Sequence, residues 1–94
     1  MWIKARHIQL TSAEECDSIL QSLDEGADFA ELAEAHSECP TASQGGDLGL
    51  FTSGQMPPAM DEVFFAEQPG IYGPVRTEWG FHILEILEQR PPLN

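Results

Sequence analysis

Basic side chains are what this sequence has least of. Four Lys and Arg stand against sixteen Asp and Glu in 94 residues, a formal net charge of −12, and the pI lies near 4.2. Such a surface repels phosphate backbones, which argues against nucleic-acid binding. Its simplest role is solubility; steering of basic client peptides is the other role left open. Cysteine is scarce too. Two residues cannot make the disulfide framework of a small secreted domain. Cys16 falls on the inner face of a predicted helix and Cys39 in a loop after another, so we expect reduced thiols in a cytosol. No apolar run approaches the ~20 residues of a membrane-spanning helix. Residues 1–7 lack the basic start, apolar block and cleavage site of a signal peptide. We therefore expect one domain over residues 1–94, cytoplasmic and away from membranes, either complete or cut from a longer protein.

What is present falls into short, well-punctuated elements. Residues 2–10 read as a strand, with Ile3, Ala5 and His7 on one face and Trp2, Ile8 and Leu10 partly on the other. Apolar residues on both faces predict a central position in a sheet. Ser12 followed by Glu15 predicts a capping box, each side chain bonding the other's backbone amide. Ala13, Cys16, Ile19, Leu20 and Leu23 then recur at helical spacing until Gly26. A second helix starts at Asp28, with Phe29, Leu32, Ala33 and His36 as its expected buried stripe. Pro58 suits the first position of a short third helix whose inner face is Met60, Val63 and Phe64. Ile71 to Val75 and Gly80 to Leu87 read as strands. In the second, Phe81, Ile83 and Leu87 alternate against His82, Leu84 and Ile86, and Arg90-Pro91-Pro92 ends it. Helices set between the first strand and the rest predict an α+β fold around a small sheet.

The stretch from 36 to 60 breaks these periods. It reads HSECPTASQGGDLGLFTSGQMPPAM, with paired glycines, a cysteine and a Met56-Pro57-Pro58 step. Gly45 and Gly46 supply backbone angles that a side chain would penalise. Asp47 after them can bond nearby amides in a tight turn.

Gly45-Gly46-Asp47-Leu48-Gly49-Leu50-Phe51 followed by Gly54-Gln55-Met56 resembles the signature of the parvulin-type peptidyl-prolyl cis/trans isomerases, or rotamases. Two flanking blocks agree: Arg6-His7-Ile8-Gln9-Leu10, and the run from Gly73-Pro74-Val75-Arg76-Thr77 through Trp79-Gly80-Phe81-His82-Ile83-Leu84. The resemblance spans almost the whole chain. It implies a four-stranded antiparallel sheet, first and last strands adjacent at its centre, flanked by about four short helices.

It also implies an activity and a site. The expected reaction is non-covalent rotation about X-Pro bonds in peptides and folding proteins, with no cofactor and no metal. The protein would act as a monomer on proline-containing, unfolded or partly folded segments. The alternative is a rotamase-like module that binds such segments without catalysis. By motif position, His7 and His82 lie side by side under the site with Thr77 in the same network. They either set its electrostatics or simply fix tautomers across two strands. Cys39 matches a position beside the prolyl bond. A covalent nucleophile would demand a base and an oxyanion hole, and His36-x-x-Cys39 offers a metal only two donors. What remains for Cys39 is a polar group near the substrate carbonyl, or an unreactive loop thiol. Leu48, Met56 and Met60 match the proline pocket, Met60 standing where the family commonly has Phe, and Phe81 is expected as a nearby apolar wall. Trp79 either contacts residues flanking the proline or is a plain surface aromatic. The loop after the first strand lacks the Lys and Arg cluster of phosphate-directed members, so phosphorylated Ser-Pro or Thr-Pro is expected to be a poor substrate.

Overall fold

Residues 1–91 of a computed structural model describe the chain in this order: β1 (Trp2–Leu10), α1 (Ala13–Asp24), α2 (Phe29–His36), a 3-10 turn (Pro40–Gln44), β2 (Asp47–Phe51), α3 (Pro58–Ala66), β3 (Gly70–Thr77) and β4 (Gly80–Arg90). Pro91 follows β4 as expected, and Pro92 lies outside the described residues. The sheet order is β2-β1-β4-β3, every pairing antiparallel. The first and last strands therefore sit at the centre, in an α+β fold. Three α-helices and one 3-10 turn stand where about four helices were expected. Among the described residues no helix is long and apolar enough to cross a membrane.

The two central strands bury side chains on both faces. Ile3 and Ala5 of β1, with Leu84 and Ile86 of β4, pack against Met60 and Phe64 of α3 and Phe51 of β2. On the other face Ile8, Leu10 and Ile83 meet Cys16 and Ile19 of α1 and Phe29 and Ala33 of α2. The period of two in a strand divides the residues in this way. Arg6 follows the same rule: on the α1/α2 face it pairs with Glu85 and lies over the Phe29 ring, 4.7 Å from its centroid.

Local chemistry explains the helix starts. Ser12 Oγ accepts the Glu15 amide at 3.2 Å, and Asp28 accepts that of Glu31 at 3.0 Å. The predicted capping box is half formed, because the Glu15 carboxylate accepts the Thr11 hydroxyl rather than the Ser12 amide. His36 is exposed at the end of α2 and does not belong to the buried stripe, which consists of Phe29 and Ala33 with Leu32 packed half-buried beside them. Leu87 is also misplaced by simple alternation. The ladder pairs Lys4 with Glu88 and Ala5 with Ile86, so Leu87 is the extra residue of a bulge and is 41% exposed. β2, which the resemblance alone implied, pairs with β1 with a register shift that leaves Leu48 as its extra residue.

Candidate active site

β1 and β4 bring the two histidines together. In the ladder His7 opposes Leu84 and Gln9 opposes His82, so the rings are diagonal neighbours on the α3 face. They stack with centroids 5.3 Å apart and planes 9° from parallel, and their Nδ1 atoms are 3.2 Å apart. The outer nitrogens are engaged as well. His82 Nε2 lies 2.6 Å from Thr77 Oγ1, and His7 Nε2 lies 3.3 Å from Thr41 Oγ1. The result is a four-membered chain, Thr41–His7–His82–Thr77. Sequence reasoning found three of its members and missed Thr41, which sits in a 3-10 turn with no periodicity to flag it.

Burial sets the protonation state. His7 is 4% and His82 2% exposed. Desolvation, and then the neighbouring His82, lower the pKa of His7 to about 4; desolvation also lowers that of His82. Both rings are therefore neutral near pH 7, each with one N–H donor and one acceptor. The chain can then be polarised in two directions. In one, Thr41 donates to His7, His7 to His82, and His82 to Thr77 Oγ1. That leaves the Thr77 hydroxyl proton free to point outward. In the other, Thr77 donates to His82 and the order reverses. Thr77 Oγ1 also accepts the Trp79 amide at 3.2 Å, which ties the network to the β3–β4 turn.

The loop between α2 and β2 is stitched to β1 beside these rings. The His7 amide donates to Gly46 O at 2.9 Å, the Glu38 amide to Gln9 O at 2.9 Å, and the Gln9 amide to Ser37 Oγ at 3.0 Å. Gly46 has φ +83°, and a Cβ there would stand 2.2 Å from the His7 carbonyl oxygen. Only glycine permits that approach.

Cys39 immediately precedes the 3-10 turn, at its N-cap position, and is half-buried and free. Its amide donates to Ser37 Oγ at 3.4 Å, while its thiol makes no hydrogen bond among the described residues. Among the described residues no histidine is hydrogen-bonded to the Cys39 thiol, as a covalent Cys–His mechanism would need. Nor does any group of three or more His, Cys, Asp or Glu able to hold a metal occur among the described residues. Cys16 is a different case, a core thiol whose pKa burial pushes up to about 11.

Leu48, Met56 and Met60 converge on the α3-side core, with Leu48 and Met56 half-buried and Met60 only 2% exposed. Met60 is thus a floor, and Leu48 and Met56 carry the accessible apolar surface. Phe81 does not join them. It is one residue from His82 on β4, so it points to the opposite face, where it packs with the α1/α2 cluster and under Arg76. The accessible hollow beside the network is a cavity of about 290 Å³, walled by Pro57, Pro58 and Ala59 of α3's start and by Thr77, Glu78 and Trp79. Trp79 is 58% exposed and lines it. Thr77 belongs to both the cavity and the histidine chain.

Known proteins resemble the chain in sequence and fold. The family model for the rotamase, PPIC-type PPIase domain matches residues 5–88. The chaperone SurA of Methylobacillus flagellatus is 43% identical over 83 residues, 87% of this chain and 19% of that protein. PrsA from Bacillus subtilis superposes with a TM-score of 0.90 at 33% identity, over 97% of this chain and 36% of that one. The parvuline of Nitrosopumilus maritimus superposes with a TM-score of 0.83 at 31% identity, over 93% of this chain and 96% of its own. The chain thus spans less than a third of the length of the foremost curated relatives it matches.

Proposed function

The chain belongs to the rotamase family of PPIC-type peptidyl-prolyl isomerase domains, and from that premise we propose that it accelerates cis/trans rotation about X-Pro bonds in unfolded or partly folded protein segments. The observation that carries the reading is the neutral Thr41–His7–His82–Thr77 chain ending on the wall of an open cavity.

The reaction asks for no bond-breaking. An X-Pro amide rotates over a barrier of ~20 kcal/mol, and spontaneous exchange takes tens to hundreds of seconds. At the twisted transition state amide resonance is lost, the carbonyl is less polar and the prolyl nitrogen more basic. In this reading Leu48 and Met56 hold the pyrrolidine ring above Met60, out of water, which disfavours the polar planar ground state. A hydroxyl proton on Thr77, freed by one polarisation of the histidine chain, is a donor for the lone pair that localises on the prolyl nitrogen. Cys39 contributes a polarisable group at the mouth of the loop. Every one of these tasks is met by the chain's own side chains.

The foldase and chaperone names of the relatives support clients that are non-native polypeptides. We further infer a monomer that leaves nucleic acid and membranes alone, supported by the net charge of −12. A reducing, cytoplasmic setting is our reading of the two unpaired thiols, and thiol labelling in fractionated cells tests it.

The deciding measurement is exchange NMR on short X-Pro peptides with and without phosphate on the residue before proline. Acceleration for unphosphorylated peptides, lost on Met56→Ala, supports the isomerase. Shifted resonances without acceleration would replace it with a binding module.

A further inference from the structure

The four basic residues share one face of the sheet, and it is the face turned away from the histidines. Arg6 is engaged by Glu85 and the Phe29 ring. Arg76 lies 6.0 Å from the centroid of Phe81. Arg90 pairs with Glu88 and lines a separate hollow with Trp2 and Leu50. Lys4 lies between Ile3 and Ala5, whose side chains enter the α3-side core, so its own side chain points the other way. Among the described residues the α3 face therefore carries no Lys or Arg side chain.

The cavity on that face has a definite composition. Pro57, Pro58 and Ala59 give it apolar lining; Trp79 adds a largely exposed indole; Glu78 is its one ionisable group. Glu78 makes no hydrogen bond or ion pair among the described residues. Asp61, the acid in the first turn of α3, is by contrast already engaged by the Ser53 hydroxyl and the Gly54 amide. Thr77, on the same rim, is bonded to His82, so whatever fills the cavity lies next to the reacting proline.

We propose that this cavity is a subsite for an Arg or Lys immediately beside the target proline. This rests on the isomerase reading above. The aliphatic stem of such a side chain lies against Pro57, Pro58 and Ala59, its cation over the Trp79 indole and within reach of the Glu78 carboxylate. An acidic or phosphorylated residue meets Glu78 with no compensating base. A purely apolar one fills the walls but leaves the carboxylate and the indole face without a partner. An exposed ion pair and an exposed cation–π contact together favour the basic residue by about five- to tenfold.

The test is exchange NMR on two peptide series that differ only before or only after the proline, each with Arg, Ala and Glu at that place. Read at low ionic strength, the Arg-to-Ala rate ratio is expected at about five or more in at least one series, with Glu below Ala. Glu78→Gln is expected to reduce that ratio to about two, and Glu78→Lys to invert it. Glu34→Gln removes the same charge from the exposed face of α2 and leaves the ratio unchanged. Equal rates for Arg and Ala in both series, or a ratio that Glu78→Gln does not alter, would overturn the subsite. Absence of acceleration for every peptide would instead remove the isomerase reading. In that event, tighter binding of the Arg peptides with shifts of the Trp79 indole resonance would keep the subsite, and indifferent binding would end it.

Discussion

Two buried imidazoles that must stay neutral make a definite statement about acid. A histidine whose folded pKa lies below its unfolded value of about 6.5 binds fewer protons folded than unfolded between those two values. Stability is then complete above about pH 6.5 and falls as pH drops toward the folded value, about 4 for His7. At 1.36 kcal/mol per unit, His7 alone accounts for a loss of up to ~3 kcal/mol across that window. Urea midpoints measured from pH 7.5 to 4.5 should decline accordingly, and His7→Asn should flatten the slope. Thr77 offers a second test. Thr77→Val keeps the shape but removes the partner of His82 Nε2 and of the Trp79 amide. A loss of about 1–3 kcal/mol in stability is expected, with at least a tenfold fall in isomerisation rate. Thr77→Ser restores most of both. A rate unchanged in Thr77→Val would remove the hydroxyl from the mechanism. At this scale the motif blocks made His7, His82 and Thr77 legible, because each sits at a fixed place in a strand. Phe81 was misread, since resemblance places a residue along a strand and only the pleat decides its face.

The loop from 37 to 46 is the element that converts two strands into a site. It is tied to β1 at His7 and Gln9 by backbone bonds, and it delivers Thr41 to the far nitrogen of His7. Gly46→Ala should therefore be severe. A methyl group 2.2 Å from the His7 carbonyl must push loop and strand apart, at a φ that alanine also disfavours. We expect a loss above ~3 kcal/mol or failure to fold. Gly49→Ala gives the contrast, because its added Cβ meets nothing within 4 Å although φ is also positive. Its cost should stay near ~1 kcal/mol. Thermal melts of the two variants separate close approach from backbone angle, and equal losses would mean that the contact at His7 is not what fixes the loop. The helix starts were legible from Ser12 and Asp28, since capping is local chemistry. β2 was not, because Gly49 interrupts a five-residue strand too short to display a period. Nor was the bulge at Leu87, which exists only in the pairing with β1 and leaves no mark on β4 alone.

Over the whole molecule, composition and topology act on one another. Alternation in the central strands sends Lys4, Arg6 and Arg90 to one face and the histidines to the other, so within a molecule of net charge −12 the side where a client would dock carries acids such as Glu78 and Asp61 and, among the described residues, no base to offset them. Two effects of opposite sign follow as salt is added. Self-repulsion of the folded chain is screened, because the Debye length shrinks from about 30 Å at 0.01 M to about 8 Å at 0.15 M. The melting temperature should therefore rise by several degrees across that range. Long-range attraction of a cationic peptide is screened over the same range, so kcat/KM for an Arg-containing X-Pro peptide should fall severalfold. For an uncharged peptide of equal length it should hold nearly constant. The two measurements share one protein sample and one salt series, which removes unfolding as an explanation for the lost rate. If both peptides slowed together, the field of the molecule would have no part in choosing clients. The sixteen acids would then act only to keep the chain soluble.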